Sequence, residues 1–281
     1  MSYWYRNGQP VDSVGLDDRA VQYGDGVFET IAIRNGDARF CDDHLARLRL
    51  GCERLGLQCP PPGTVRAELN AALVDSPVPT DHAIAKVIAT AGGGPRGYQR
   101  PSGREAAVFI GLFPGQPLPS RHYRDGVAVR ICATRLAIQP QLAGIKSLNR
   151  LEQVLARAEW RDDQVFEGLM LDTDRRLICG TMSNVFIVRQ NSISTPAITR
   201  CGVSGVMRGR LIAMLEETGM SCEIRDIEAA ELLSADEVFL SNSQFGVLPV
   251  NACRGTRWRV GALTRELMAL ASRRGVTECD P

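Results

Sequence analysis

Among the 33 basic side chains of this 281-residue chain, only Lys86 and Lys146 are lysine; all the others are arginine. Arginine can fill most surface roles of lysine, but its guanidinium keeps its proton at any physiological pH. An ammonium in a dry pocket can lose its proton. A lysine kept in an arginine-writing chain therefore marks a place where an amine could act as a nucleophile or base, in Schiff-base formation or proton abstraction. Codon bias toward arginine is the plainer account, and scarcity alone does not choose between them.

Lys146 lies in "AGIKSLNRLEQVLARAEW", between an expected strand and an expected amphipathic helix that puts Leu148, Leu151, Leu155 and Ala158 on one face. The positive end of that helix would favour a neutral amine. If the amine holds pyridoxal phosphate (PLP), the chain must also supply a phosphate cup and a partner for the pyridine nitrogen. "GVSGVMR", 202–208, reads as a glycine-rich helix start whose amides at Gly205, Val206 and Met207 can face an anion; an ordinary capped helix would look the same. "LSNSQFG", 240–246, places Ser241 and Ser243 in a turn. Arg47 and Arg49, on the first helix, could add charge or be a solvated face.

The elements that must position these residues are alternating strands and helices. "SYWYRNGQPV" and "FETIAIRNGDARF" each hold Asn-Gly between apolar-alternating runs, the signature of a tight hairpin. A helix follows over "DDHLARLRLGCERLGL", with Asp42 or Asp43 as N-cap and Leu45, Leu48 and Leu55 at helical spacing. A second helix is expected from Val65 to Leu73, then strands at "HAIAKVIATA" and "EAAVFIGLF" around the loop "GGGPRGY". Beyond the proline-rich stretch come a strand at "GVAVRICA", a meander through "EGLMLDTD", "LICGTMSNVFIVR" and "SISTP", and a helix opened by Ser204 and Gly205. A strand–turn–strand at "EVFLSNSQFGVLPV" and a last helix from Gly261 to Ser272 complete the chain. The fold class is α/β (α+β) in two domains: 1–113, a linker over 114–122, and 123–281.

The bulk numbers exclude several classes. A net charge of +1 leaves no electrostatic footprint for nucleic acid or an anionic membrane. No apolar run approaches the ~18 residues of a membrane span, and the first residues lack a signal-peptide pattern; a cytoplasmic location is the expectation. The nine cysteines are odd in number, form no CxxC, and have no histidine near a pair, so no metal site is expected.

The ordered series "YGDGVFET", "HLARL", "GGGPRGY", "AGIKSLNRLEQVLAR", "GTMSNVF", "GVSGVMR" and "LSNSQFGVLPV" resembles the fold-type IV PLP enzymes, from about Tyr23 to Val250. That family includes branched-chain and D-amino-acid aminotransferases and 4-amino-4-deoxychorismate lyases. Within it, "IKSLNRLEQVLAR", "GGGPRGY" and the "FET" at 28–30 look most like the lyases, which implies release of 4-aminobenzoate and pyruvate for folate synthesis. An aminotransferase on D- or branched-chain amino acids is the alternative within the fold, and a PLP-binding homologue of weakened activity is another. The resemblance implies a homodimer with a small N-terminal and a larger C-terminal domain, and Lys146 as the residue that carries PLP. It implies Arg47, the amides of Val206 and Met207, and Ser243 on the phosphate, and Tyr23 beside the cofactor. Arg96 and Tyr98 would stand near the substrate entrance, with Thr30 as a candidate proton donor. Lys86 fits either a substrate carboxylate or a structural role with a buried stem. One position departs from the family pattern: Cys179 stands where a glutamate normally pairs with the pyridine nitrogen. A thiol is a weak, neutral partner there, which suits a lyase better than a transaminase, because loss of pyruvate and formation of an aromatic ring supply their own driving force.

Overall fold

The computed structural model describes residues 2–101, 103 and 105–280, and the chain divides into two compact units. The first comprises Met1–Gln116 together with Ile145–Asn149. Its elements are β1 (Tyr3–Arg6), β2 (Gln9–Pro10), α1 (Arg19–Tyr23), β3 (Gly26–Arg34), β4 (Asp37–Ala38), α2 (Cys41–Leu55), α3 (Pro62–Asp75), β5 (His82–Thr90) and β6 (Ala107–Pro114). The strands form an antiparallel sheet in the order β2-β1-β6-β5-β3-β4. Both Asn-Gly hairpins form. Asn7, Gly8, Asn35 and Gly36 all have positive φ, the backbone that lets a two-residue turn follow the strand twist.

Strand alternation divides this sheet into two faces. Val27, Ile31 and Ile33 of β3 join Ala83, Ala85, Val87 and Ala89 of β5 and Val108, Ile110 and Leu112 of β6 in the buried core. Leu45 and Leu48 of α2 and Val65 and Leu69 of α3 complete it. The opposite face carries Phe28, Thr30 and Lys86. Helix α2 starts at Cys41 with Phe40, in a left-handed conformation, as its N-cap. Asp42 and Asp43 lie within its first turn rather than capping it, where their charge still complements the helix dipole.

The second unit comprises Pro117–Gly144 and Arg150–Pro281. It contains α4 (Ser120–Asp125), β7 (Val127–Leu136), α5 (Leu151–Arg157), β8 (Val165–Asp172), β9 (Arg176–Gly180), β10 (Asn184–Arg189), β11 (Ser192–Pro196) and α6 (Val206–Glu217). After these come β12 (Cys222–Arg225), β13 (Ile227–Glu228), α7 (Ala229–Leu233), β14 (Glu237–Asn242), β15 (Gly246–Cys253), β16 (Thr256–Arg257) and α8 (Ala262–Arg273). One mixed sheet runs β12-β11-β10-β14-β15-β7-β8-β9-β13, with β16 on β15. Phe186 and Phe239, cross-strand partners on β10 and β14, stack at 4.8 Å inside it.

Helix α5 corrects the sequence-based expectation. It begins at Leu151, not before Leu148, and Leu151, Val154 and Leu155 are 76%, 60% and 61% exposed. The preceding residues are drawn away to β3, so the predicted apolar face is split. Lys146 therefore does not stand at a helix N-terminus, and the dipole argument for a neutral amine does not apply to it.

Candidate active site

The segment 145–149 runs as a short rung beside the start of β3. Phe28 N donates to the Lys146 carbonyl at 2.9 Å, Leu148 N donates to the Gly26 carbonyl at 2.9 Å, and Val27 bridges Ser147. The close approach requires glycine at position 26, since a Cβ there would strike the Ala89 carbonyl and reach Leu148 Cδ1 at 2.9 Å. Pairing puts Ser147 on the core side with Val27 and turns Lys146 to the Phe28 side. Lys146 Nζ lies 4.5 Å from the centre of the Phe28 ring, and Lys86 Nζ lies 5.0 Å from the same centre. Thr30 is the cross-strand partner of Lys86. The two lysines of the chain thus meet around one aromatic ring, with Thr30 paired across the strands to one of them.

Arg47 is placed elsewhere in this unit. It sits on α2 and engages Glu29, which points to the core side of β3, through Nε at 2.7 Å and Nη2 at 2.5 Å. His44 Nδ1 adds a 2.6 Å contact to the same carboxylate. Burial alone would push Glu29 up, but the Arg47 charge and the hydrogen bonds from His44 and Arg47 hold it below the usual carboxylate range. Neither Glu29 nor His44 stood out in the sequence, because both sit in apolar-patterned runs.

Tyr23 and Tyr98 pack with ring centres 5.5 Å apart, and the Tyr23 hydroxyl accepts from Gly97 N at 3.0 Å. Arg96 and Tyr98 are both exposed on this loop. Arg19, absent from the sequence-based candidates, anchors it: its guanidinium donates to the Gly97 and Tyr98 carbonyls at 2.7 and 3.0 Å and to Asp25 at 2.8 Å. Arg100 grips the same Asp25. Burial would raise Asp25, yet the hydrogen bonds and charges of Arg100 and Arg19 keep it below its ordinary value. A cavity of about 460 Å³ is lined by Arg19, Tyr23, Asp25, Tyr98, Arg100 and Asn149 among others.

The second unit holds Cys179, Val206, Met207 and Ser243. Cys179 is buried on β9 opposite Met170. Arg150 lies near enough for the two to interact electrostatically; burial pushes its guanidinium down and Cys179 and Glu152 oppose that. Between β9 and β10, Glu167 of β8 is fully buried and takes five hydrogen bonds, from the Gly168, Thr181 and Met182 amides and the Thr181 and Ser183 hydroxyls. Helix α6 begins after Gly205, and among the described residues no side chain caps it. Ser204 donates its amide to the Gly144 carbonyl and does not open the helix. Ser243 is half-buried in the turn between β14 and β15, which Asn242 Oδ1 closes by accepting from the Gln244 and Phe245 amides. Ser241 Oγ is buried without a hydrogen-bond partner among the described residues.

These residues fit PLP in each unit taken by itself. The first unit offers an amine on a fixed backbone rung. The second offers an uncapped twelve-residue helix start and a buried hydroxyl lacking a partner, the chemistry an anion would satisfy.

The comparisons with known proteins agree. The family model for class IV aminotransferases matches residues 26–253. An aminodeoxychorismate lyase of Vibrio harveyi is 36% identical over 94% of this chain and 97% of its own length. A D-alanine aminotransferase of Bacillus licheniformis is 32% identical over 89% and 86%. The crystal structure of 4-amino-4-deoxychorismate lyase from Pseudomonas aeruginosa superposes with a TM-score of 0.89 at 44% identity, covering 98% of this chain and all of that one. With its two lysines gathered on Phe28 and its motifs in family order from end to end, the chain belongs to the class IV aminotransferase family of PLP-dependent enzymes.

Proposed function

We propose that the chain is a 4-amino-4-deoxychorismate lyase, which converts that substrate to 4-aminobenzoate and pyruvate and so serves folate synthesis. The observation that carries the reading is the rung 145–149. It turns Lys146 to the side of β3 that carries Phe28 and Thr30, where Lys86 of β5 approaches the same ring, which supports an amine base, a hydroxyl and a second cation on one face of the sheet. The 36% and 44% identities to lyases support it. When bound, PLP supplies a covalent anchor for the substrate amine and an electron sink.

The chain's own residues do the rest. Lys146 Nζ takes the proton from C4 of the substrate ring as general base. The C–O bond to the enolpyruvyl group breaks, the ring becomes aromatic, and the departing enolpyruvate gains a proton from Thr30 Oγ1 or from Lys146. Lys86 and Arg96 hold substrate carboxylates, with Tyr98 at the entrance and Tyr23 beside the cofactor. Within the second unit, the Val206 and Met207 amides and Ser243 would hold the phosphate; Arg47, fixed by Glu29 on the core side of β3 in the first unit, is the cation that the family resemblance adds to them. Cys179 would face the pyridine nitrogen as a weak, neutral partner, with Arg150 close enough to interact with the thiol. Lys146→Ala abolishes turnover and the visible band that borohydride bleaches; a variant that still releases 4-aminobenzoate removes the central claim.

The D-alanine aminotransferase relative keeps transamination as the second reading. Amino exchange between D-alanine and a 2-oxo acid, faster than 4-aminobenzoate release, would select it. The enzyme acts as a homodimer, a reading supported by the three exposed apolar side chains on the seven-residue α5. Nine cysteines without a disulfide among them suit a reducing, cytoplasmic compartment. No helix among the described residues is long and apolar enough to cross a membrane.

A further inference from the structure

Glu167 has no place in the reaction just described, yet its buried carboxylate accepts five hydrogen bonds. Its Oε1 accepts from Gly168 N at 2.9 Å, Thr181 N at 3.1 Å and Thr181 Oγ1 at 2.6 Å. Its Oε2 accepts from Met182 N at 3.1 Å and Ser183 Oγ at 2.8 Å. Four of the five donors belong to the turn 181–183, which joins β9 to β10. Glycine at 180 makes room for the carboxylate, since a Cβ there would lie 2.6 Å from Oε2.

The turn leads directly into a second set of contacts. Asn184, the first residue of β10, donates Nδ2 to the Val203 carbonyl at 3.0 Å. Its Oδ1 occupies the space where a Cβ on Gly205 would stand. Gly205 is the N-cap of α6, so Asn184 props the uncapped end of that helix. The loop is tied from its other side by Ser204 N to the Gly144 carbonyl at 3.0 Å and Gly144 N to the Gly202 carbonyl at 3.0 Å. The links from Glu167 through the turn and Asn184 to Gly205, the residue before the first amides of α6, thus all lie within one unit and run through turn and strand.

We propose that Glu167 is a positioning residue for phosphate binding: it locks the 181–183 turn so that Asn184 holds the Val206 and Met207 amides in place for the phosphate of PLP. This rests on the reading that those amides bind the phosphate. A carboxylate suits the task because it only accepts, and all five partners donate. Glutamine in its place turns an amide donor toward N–H groups that cannot reverse, leaving buried donors facing each other.

The test uses the full-length enzyme, freed of PLP by dialysis and titrated with PLP by absorbance, with thermal unfolding measured in PLP and in inorganic phosphate. Glu167→Gln is expected to raise the apparent Kd for PLP roughly tenfold or more, the scale of losing one or two buried hydrogen bonds. It should keep most of kcat at saturating PLP and shrink the Tm gain that either anion gives. A purely structural role would lower Tm with and without ligand equally and leave the Kd unchanged, which overturns the proposal. Gly205→Ala separates the two readings. If it raises the Kd while Glu167→Gln does not, the cradle stands and Glu167 is only structural; if it leaves the Kd unchanged, the cradle itself is wrong. Should Glu167→Gln fail to fold, Thr181→Val and Ser183→Ala each remove one hydroxyl donor and are expected to raise the Kd severalfold; no rise in either refutes the inference.

Discussion

Glu29→Gln probes the charge cluster beneath β3. In the wild type Glu29 is buried, with Arg47 on two sides of its carboxylate and His44 on the third. The variant keeps the volume but removes the negative charge, leaving a guanidinium whose side chain is only 12% exposed. Breaking a buried ion pair from one side costs about 3–5 kcal/mol, and the residual exposure of Arg47 points to the lower end, about 3 kcal/mol. That is roughly a hundredfold in the folding equilibrium. Urea unfolding at about pH 7 measures it, with Trp4 fluorescence reporting the first unit, since Trp160 and Trp258 belong to the second. The pH dependence has a defined sign. Glu29 is held below its ordinary value of 4.5, so its contribution is complete above about 4.5 and is lost as pH falls through the lower, folded-state value. The gap between wild type and variant therefore stays constant from neutrality down to about pH 5 and narrows only under more acid conditions. A loss below about 1 kcal/mol, or a gap that closes between about pH 7 and 5, would refute the reasoning.

Asp25→Asn weakens the grip of Arg19 and Arg100, and the Gly97 amide, which donates to Tyr23, should exchange its hydrogen faster while β3 stays protected. Unchanged exchange at Gly97 would mean that Asp25 does not hold the loop. Gly26→Ala drives a methyl group against Leu148 and the Ala89 carbonyl; the expected cost is about 1–3 kcal/mol by thermal unfolding, with less PLP fixed to Lys146 by borohydride. A fully stable variant with full labelling contradicts the rung. Leu155→Arg puts a charge among the exposed apolar side chains of α5, and if the proposed dimer forms through this helix, size-exclusion chromatography should show monomer; an unchanged elution volume excludes α5 from the proposed contact.

Local patterns made much of the fold legible in advance. The two Asn-Gly hairpins were readable because positive φ at both turn residues is a property of those residue types. The core positions Leu45 and Leu48 followed from helical spacing, and the strands β5 and β6 from their apolar runs. What escaped the sequence depends on partners far along the chain. Glu167 looks like an ordinary strand residue until Thr181 and Ser183, fourteen and sixteen positions on, fold back on it. Arg19 gains its meaning only from carbonyls seventy-eight and seventy-nine residues away. The shorter α5 has the same origin: Leu148 reads as the first apolar rung of a helix, but its amide is taken by Gly26, more than a hundred residues earlier. Helical periodicity cannot register a competing strand.

The rung 145–149 also limits how this gene could have been assembled. A unit that borrows five residues from the middle of its successor is not a cassette. A crossover at Gln116 that joins the first unit of one parent to the second of another would bring in a foreign Lys146 strand against a native β3. Such a chimera inherits Lys146 from one lineage and the backbone that holds it from another, so positions 26–28 and 145–149 have to be exchanged together. On a ribosome the same five residues arrive late: the first sheet waits for residue 149 to emerge before its last rung can be set, and the amine takes its place only then.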